Sequence, residues 1–151
     1  MTLESLSFLV EQSIVEIGKD PVLSRGDKPG QWTISYKGST VWIDIFNFPD
    51  NPNRYYFQVM SPLLRVPDRN HEEIFRNILE INHNLYGSWI SIKDNWMYVL
   101  NLRESDNLDQ SEIVATLDRV AFYSNDYYGK LSFKYEGSWD KRPTDNPISN
   151  N

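Results

Sequence analysis

Few side chains in this sequence are of a type and spacing suited to covalent chemistry. The chain has no cysteine, which excludes disulfides, thiolate nucleophiles and Cys-ligated metals. Its only two histidines, His71 and His83, form no His-x-x-x-His or His-Glu-x-x-His pattern, so no metal is expected. His83 falls near the end of a predicted helix, where an imidazole interacts well with the helix dipole and the free carbonyls. Glu72-Glu73 suits the positive start of that helix, and Asp106 and Asp109 read as caps of a later one. There is no Gly-x-Ser-x-Gly elbow and no Gly-x-x-x-x-Gly-Lys phosphate loop. Two polar residues stand apart. Asp44 alternates with aromatics along a predicted strand, as a solvated residue or as an anchor in a binding surface. Arg65, between Pro62 and Pro67, is placed to take an anion or a partner carboxylate, or to bond loop carbonyls. Two function classes follow: a polypeptide-binding module, or a small-ligand binder or enzyme with a polar pocket around Asp44, His83 and Arg65.

The elements that must position these groups are legible from periodicity. Leu3, Leu6, Val10, Ile14 and Ile17 recur at helical spacing, with Thr2 as N-cap and Gly18 as stop. Residues 19–30 read as a loop. Trp32, Ile34 and Tyr36, then Val41, Ile43 and Ile45, alternate with other residues as two strands. A Gly38-Ser39 type II′ turn would pair Tyr36 with Val41, Ile34 with Ile43 and Trp32 with Ile45. After the turn signal at residues 49–53, Tyr55, Phe57 and Val59 form the inward side of a third strand. Pro62 and Pro67 bracket a predicted loop. Asp68 or Asn70 caps a second long helix with Ile74, Ile78, Ile81 and Leu85 as its stripe, widened by Phe75 and Leu79, and Gly87 as stop. Asp94-Asn95 turns a second hairpin that opposes Ile92 with Met97 and Ile90 with Val99. A last helix starts at Ser105 or Asp106 and runs to about Phe133. Residues 1–135 thus form one α+β domain of order α-β-β-β-α-β-β-α, with a largely antiparallel five-stranded sheet. Residues 136–151 read as a flexible polar tail.

The aromatic residues supply the strongest candidate surface. With Ile34, Ile43, Phe57, Ile90 and Val99 facing the helices, Trp42, Phe46, Tyr56, Met60, Trp89, Trp96 and Tyr98 face the other way. Two outcomes are open: the second helix or loops cover some of these side chains, or they form an apolar patch of the kind that marks an interface. Trp, Tyr and Met bury much area at low entropic cost there. The expected partner-binding residues are Trp42, Asp44, Phe46, Tyr56, Arg65, Trp89, Trp96 and Tyr98.

Composition narrows the partners. The formal charge is −6 and the pI about 4.9, which repels phosphate backbones and argues against nucleic acid. No apolar run approaches the ~20 residues of a membrane span. Met1 to Leu6 has no basic segment, and Glu4 and Glu11 lie in the first helix, so no signal peptide is expected and a cytoplasmic location is. No cofactor is implied.

Several segments carry a family resemblance: Met60-Ser61-Pro62-Leu63-Leu64-Arg65-Val66-Pro67, Ile78-Leu79-Glu80-Ile81-Asn82, Leu85-Tyr86-Gly87 and Leu117-Asp118-Arg119-Val120-Ala121. At residue level the chain resembles the YbjN-type family of bacterial sensory-transduction regulators. Its element order resembles the type III secretion chaperone (CesT or Tir-chaperone) fold. The resemblance implies a non-enzymatic bacterial cytoplasmic protein, commonly a homodimer, that binds other polypeptides. It supplies no catalytic residue.

Overall fold

The computed structural model describes residues 1–135; the predicted tail at 136–151 lies outside the described residues. The elements are α1 (Leu3–Glu16), α2 (Pro21–Ser24), β1 (Gln31–Tyr36), β2 (Ser39–Phe48), β3 (Asn51–Arg65), α3 (His71–Asn84), β4 (Trp89–Lys93), β5 (Trp96–Glu104) and α4 (Gln110–Lys134). The five strands form one antiparallel sheet of order β1-β2-β3-β5-β4. This is the predicted α+β architecture, with short α2 added where a loop was expected. Asp20 caps α2 through the Val22 and Leu23 amides, and Pro21 at the first helical position loses no needed N–H.

One sheet face carries the main core. Leu6, Val10 and Ile14 of α1 and Ile113, Leu117 and Val120 of α4 pack with Ile43, Phe57, Val59 and Val99. Thr2 begins α1 in a reciprocal capping box with Ser5. Asp109, not Ser105 or Asp106, begins α4, and its box partner is Glu112. Asp106 instead offers its carbonyl to Arg103. Asn70 precedes α3 with φ +62 and makes no side-chain cap.

The first hairpin turns two residues away from the predicted register. Lys37 and Gly38 occupy the turn with φ +48 and +79, and Tyr36 pairs with Ser39, Ile34 with Val41, Trp32 with Ile43. Two left-handed residues make a type I′ turn, which matches strand twist. Ser39 is thereby freed to enter the core, where its hydroxyl donates to the Ala121 carbonyl of α4 at 3.0 Å. A slip of two keeps every side chain on its predicted face. The second hairpin has the predicted register, with Asp94 and Asn95 at φ +51 and +65.

The Ser61-to-Arg65 run is strand rather than loop. β3 continues to Arg65, with a register shift between Pro62 and Leu64 against β5. Proline fits because the β2 ladder stops at Met60, so Pro62 owes no N–H there. The Ser61 hydroxyl donates to the Thr40 carbonyl at 2.6 Å instead.

Candidate protein-binding surface

Helix α3 carries one broad apolar stripe, only part of which is buried. Ile74 and Ile78 are buried in the main core, whereas Phe75 is 38% and Leu79 70% exposed. Glu72, Phe75, Arg76, Leu79, Glu80 and His83 line a shallow groove of about 680 Å³ on this outer side. His71 is held by its own turn: Nε2 lies 2.6 Å from the Pro67 carbonyl, and the ring stacks on Phe75 at 5.4 Å.

Beside α3 runs β4, an edge strand of the sheet. Asn82 joins the two, bonding both the N–H and the carbonyl of Ile90. Ile92, on the helix side of β4, is 44% exposed, and Trp89, on the other side, 38%. Tyr86, in the connection, is also exposed, and the Arg119 guanidinium of α4 sits 4.6 Å above its ring. An edge strand flanked by an apolar helix face offers both backbone groups and side-chain area to another chain.

The other sheet face differs from expectation. Trp42, Met60, Tyr98 and Leu100 form a second buried cluster with Trp96 and Leu102 at its margin. The Trp42 and Tyr98 ring centroids are 6.2 Å apart. Trp42 has no exposed surface, and Asp44 and Gln58, cross-strand neighbours, are buried beside it. Trp42, Asp44 and Tyr98 are therefore not displayed as an open patch. Burial raises the Tyr98 phenol above its ordinary pKa, with Asp94 adding to it. Trp42 Nε1 and Gln58 Nε2 are buried without a hydrogen-bond partner.

The remaining predicted contacts are dispersed. Phe46 and Tyr56, half-buried, meet Phe48 edge-on at the far end of the β2–β3 hairpin. Trp96 and Arg65 are cross-strand neighbours at the opposite end. Arg65 pairs with Asp68 at 3.1 Å. Asp44 opposes Gln58, seven residues along β3 from Arg65, which is about 23 Å of strand. His83 lies in the α3 groove, which Asp44 and Arg65 do not line. The three residues of the predicted polar pocket thus share no cleft among the described residues.

A second groove, of about 580 Å³, lies between α1 and the chain entering β1. Glu11 accepts from Arg25 at 2.7 and 3.0 Å and from the Trp32 indole at 3.2 Å. The Arg25 hydrogen bonds, against the opposing effect of burial, hold Glu11 below its ordinary pKa. No group of His, Asp or Glu able to hold a metal ion occurs among the described residues. No helix among them is long and apolar enough to cross a membrane.

Helix, three antiparallel strands, helix, hairpin and long helix on one sheet define the fold of type III secretion chaperones. The chain is similar to one in the crystal structure of the ExsC–ExsE complex, at 14% identity over 85% of this chain and 95% of that chain, TM-score 0.64. It is similar to one in the HopA1–SchA chaperone–effector complex, at 10% identity over 85% and 98%, TM-score 0.60. A third likeness is to the Yersinia pestis type III secretion chaperone SycH in complex with a stable fragment of YscM2, at 11% over 80% and 97%, TM-score 0.56. These identities establish the fold alone. The chain matches no family model and no curated protein, so the YbjN-type likeness rests on its short motifs.

Phe75, Leu79 and Ile92 were the functional candidates that sequence reasoning missed. The sequence pattern reads Phe75 and Leu79 as widening the apolar stripe of α3. The available signal is the width of the α3 apolar stripe, broader than a ~100° core-facing stripe requires.

Proposed function

We propose that this chain is a non-enzymatic, cytoplasmic, chaperone-like protein-binding module of bacterial type that works as a homodimer through α3 and β4. The observation that carries this reading is the exposed apolar area of Phe75, Leu79 and Ile92 beside an edge strand. Glu72, Arg76 and Glu80 around it provide a mixed-charge rim, the usual surround of an apolar interface centre. The solved structures of like fold are complexes of two proteins, which supports a polypeptide as the ligand class. Trp89 and Trp96 extend the apolar area from the edge toward the second sheet face. Phe46, Tyr56 and Arg65 lie away from this surface and are assigned no part in dimerisation.

Light scattering coupled to size exclusion tests the reading. The wild-type chain is expected at twice its 17.8 kDa mass. Leu79→Glu with Ile92→Lys is expected at the monomer mass with unchanged circular dichroism. A monomeric wild type, or a variant still dimeric, would count against it.

A further inference from the structure

The charges around the α3 groove form a pattern that is its own complement. Glu72, Phe75, Arg76, Leu79, Glu80 and His83 follow the i, i+3, i+4, i+7, i+8, i+11 spacing of a single helix face. Along the chain the four polar members alternate: carboxylate, guanidinium, carboxylate, imidazole. Among the described residues, no hydrogen bond or ion pair engages any of the four. Glu72 and His83 lie at opposite ends of the groove, about 16 Å of helix apart, so within one chain they do not meet.

We propose that two copies of this chain pack α3 against α3 antiparallel, in a register fixed by Glu72–His83 and Arg76–Glu80 pairs between copies. A symmetric dimer uses the same patch on both subunits, so a contact from one residue to another is always made twice. A two-fold axis crossing α3 near Asn77 and Ile78 sets Glu72 of each copy against His83 of the other. The same axis sets Arg76 against Glu80, with Phe75 and Leu79 between the pairs. A two-fold axis along the helix instead stacks Glu72 on Glu72 and Arg76 on Arg76, like charge on like, so the charge order selects the antiparallel form. An imidazole donates to a carboxylate whether it carries one proton or two, so the outer pair does not require a charged His83. The inference rests on the homodimer reading and adds to it the arrangement of the copies and a role for His83.

Sedimentation equilibrium of the full-length chain at low salt tests the register. His83→Glu sets carboxylate against carboxylate twice per dimer and should weaken dimerisation about tenfold. Adding Glu72→Lys to the same chain should recover most of that loss. Each replacement is unfavourable to α3 itself, an acid near its C-terminal end and a cation near its start, so the recovery cannot come from a more stable helix. High salt should shrink the difference between the two variants. A dimer that tolerates His83→Glu would overturn the register and leave the homodimer reading intact. So would a double variant that dimerises no more tightly than His83→Glu alone. A wild-type chain that stays monomeric would remove both.

Discussion

The Asn82 side chain closes a two-way hydrogen bond with the backbone of Ile90, accepting its N–H at 2.7 Å and donating to its carbonyl at 3.1 Å. An amide so placed imitates a neighbouring strand, and it satisfies one residue of an edge while fixing α3 beside β4. Asn82→Asp keeps the acceptor but sets a carboxylate oxygen against the Ile90 carbonyl. Urea denaturation should show a loss of ~1–3 kcal/mol, the cost of an unpaired or repelled buried polar group. Dimerisation should weaken with it if α3 and β4 form one surface.

Gly30 should be irreplaceable. Its φ is +84, and a Cβ there would stand 2.7 Å from the Ile45 carbonyl oxygen, a backbone atom with little room to retreat. The Gly30 carbonyl also accepts the Ile45 amide at 2.8 Å, so this contact sets the start of β1 against β2. Gly30→Ala combines left-handed strain of ~1–2 kcal/mol with that overlap, and thermal denaturation should register at least that loss.

Acid should weaken the α1–β1 junction through Glu11. Its folded pKa lies below the ordinary 4.5 because Arg25 hydrogen-bonds the carboxylate. A depressed carboxyl contributes stability that is fully present above the unfolded value and disappears as pH falls through the folded one. Glu11→Gln should therefore lower the urea midpoint at neutral pH, with the two proteins converging below pH 4.5 as Glu11 protonates. Asp118, held low against burial by Tyr36 and Lys37, should contribute in the same direction.

Local patterns made most of the fold legible. Asp94-Asn95 fixed the second hairpin because its residues tolerate positive φ and only one register joins Ile90 to Val99. The first hairpin was ambiguous: Lys37-Gly38 and Gly38-Ser39 each put a glycine in the turn and keep the same faces. The choice rests on Ser39 reaching Ala121 in α4, a contact distant in sequence. The prolines of β3 misled for a similar reason, since a central strand tolerates Pro62 only where one ladder has ended. The site was less legible than the fold. Alternation placed Trp42 and Tyr98 on the second face correctly, but periodicity reports facing and not burial.

The buried serines should behave as a unit. Ser61 and Ser124 are both fully buried, their hydroxyl oxygens 2.7 Å apart, and Ser124 reaches the Pro62 carbonyl at 3.3 Å. They tie α4 to β3 where the strand departs from its β2 ladder. Each single alanine replacement should cost about 1 kcal/mol by denaturant titration. The double replacement should cost less than the sum, because neither partner remains to be left unpaired.

Two tryptophans separate stability from association. Trp42 is fully buried, so Trp42→Ala removes a large side chain from a packed cluster and should cost ~3–5 kcal/mol. Trp89 lies on the edge strand with 38% of its surface exposed, so Trp89→Ala forfeits less burial, about 1 kcal/mol. If the edge strand contributes to an interface, the order reverses for binding. Trp89→Ala, alone or with Trp96→Ala, should shift sedimentation toward monomer at concentrations where its circular dichroism is native. Trp42→Ala should affect association only in step with its unfolding, which titrating both variants across denaturant and protein concentration would resolve. A Trp89→Ala chain that stays fully assembled would assign association to α3 alone.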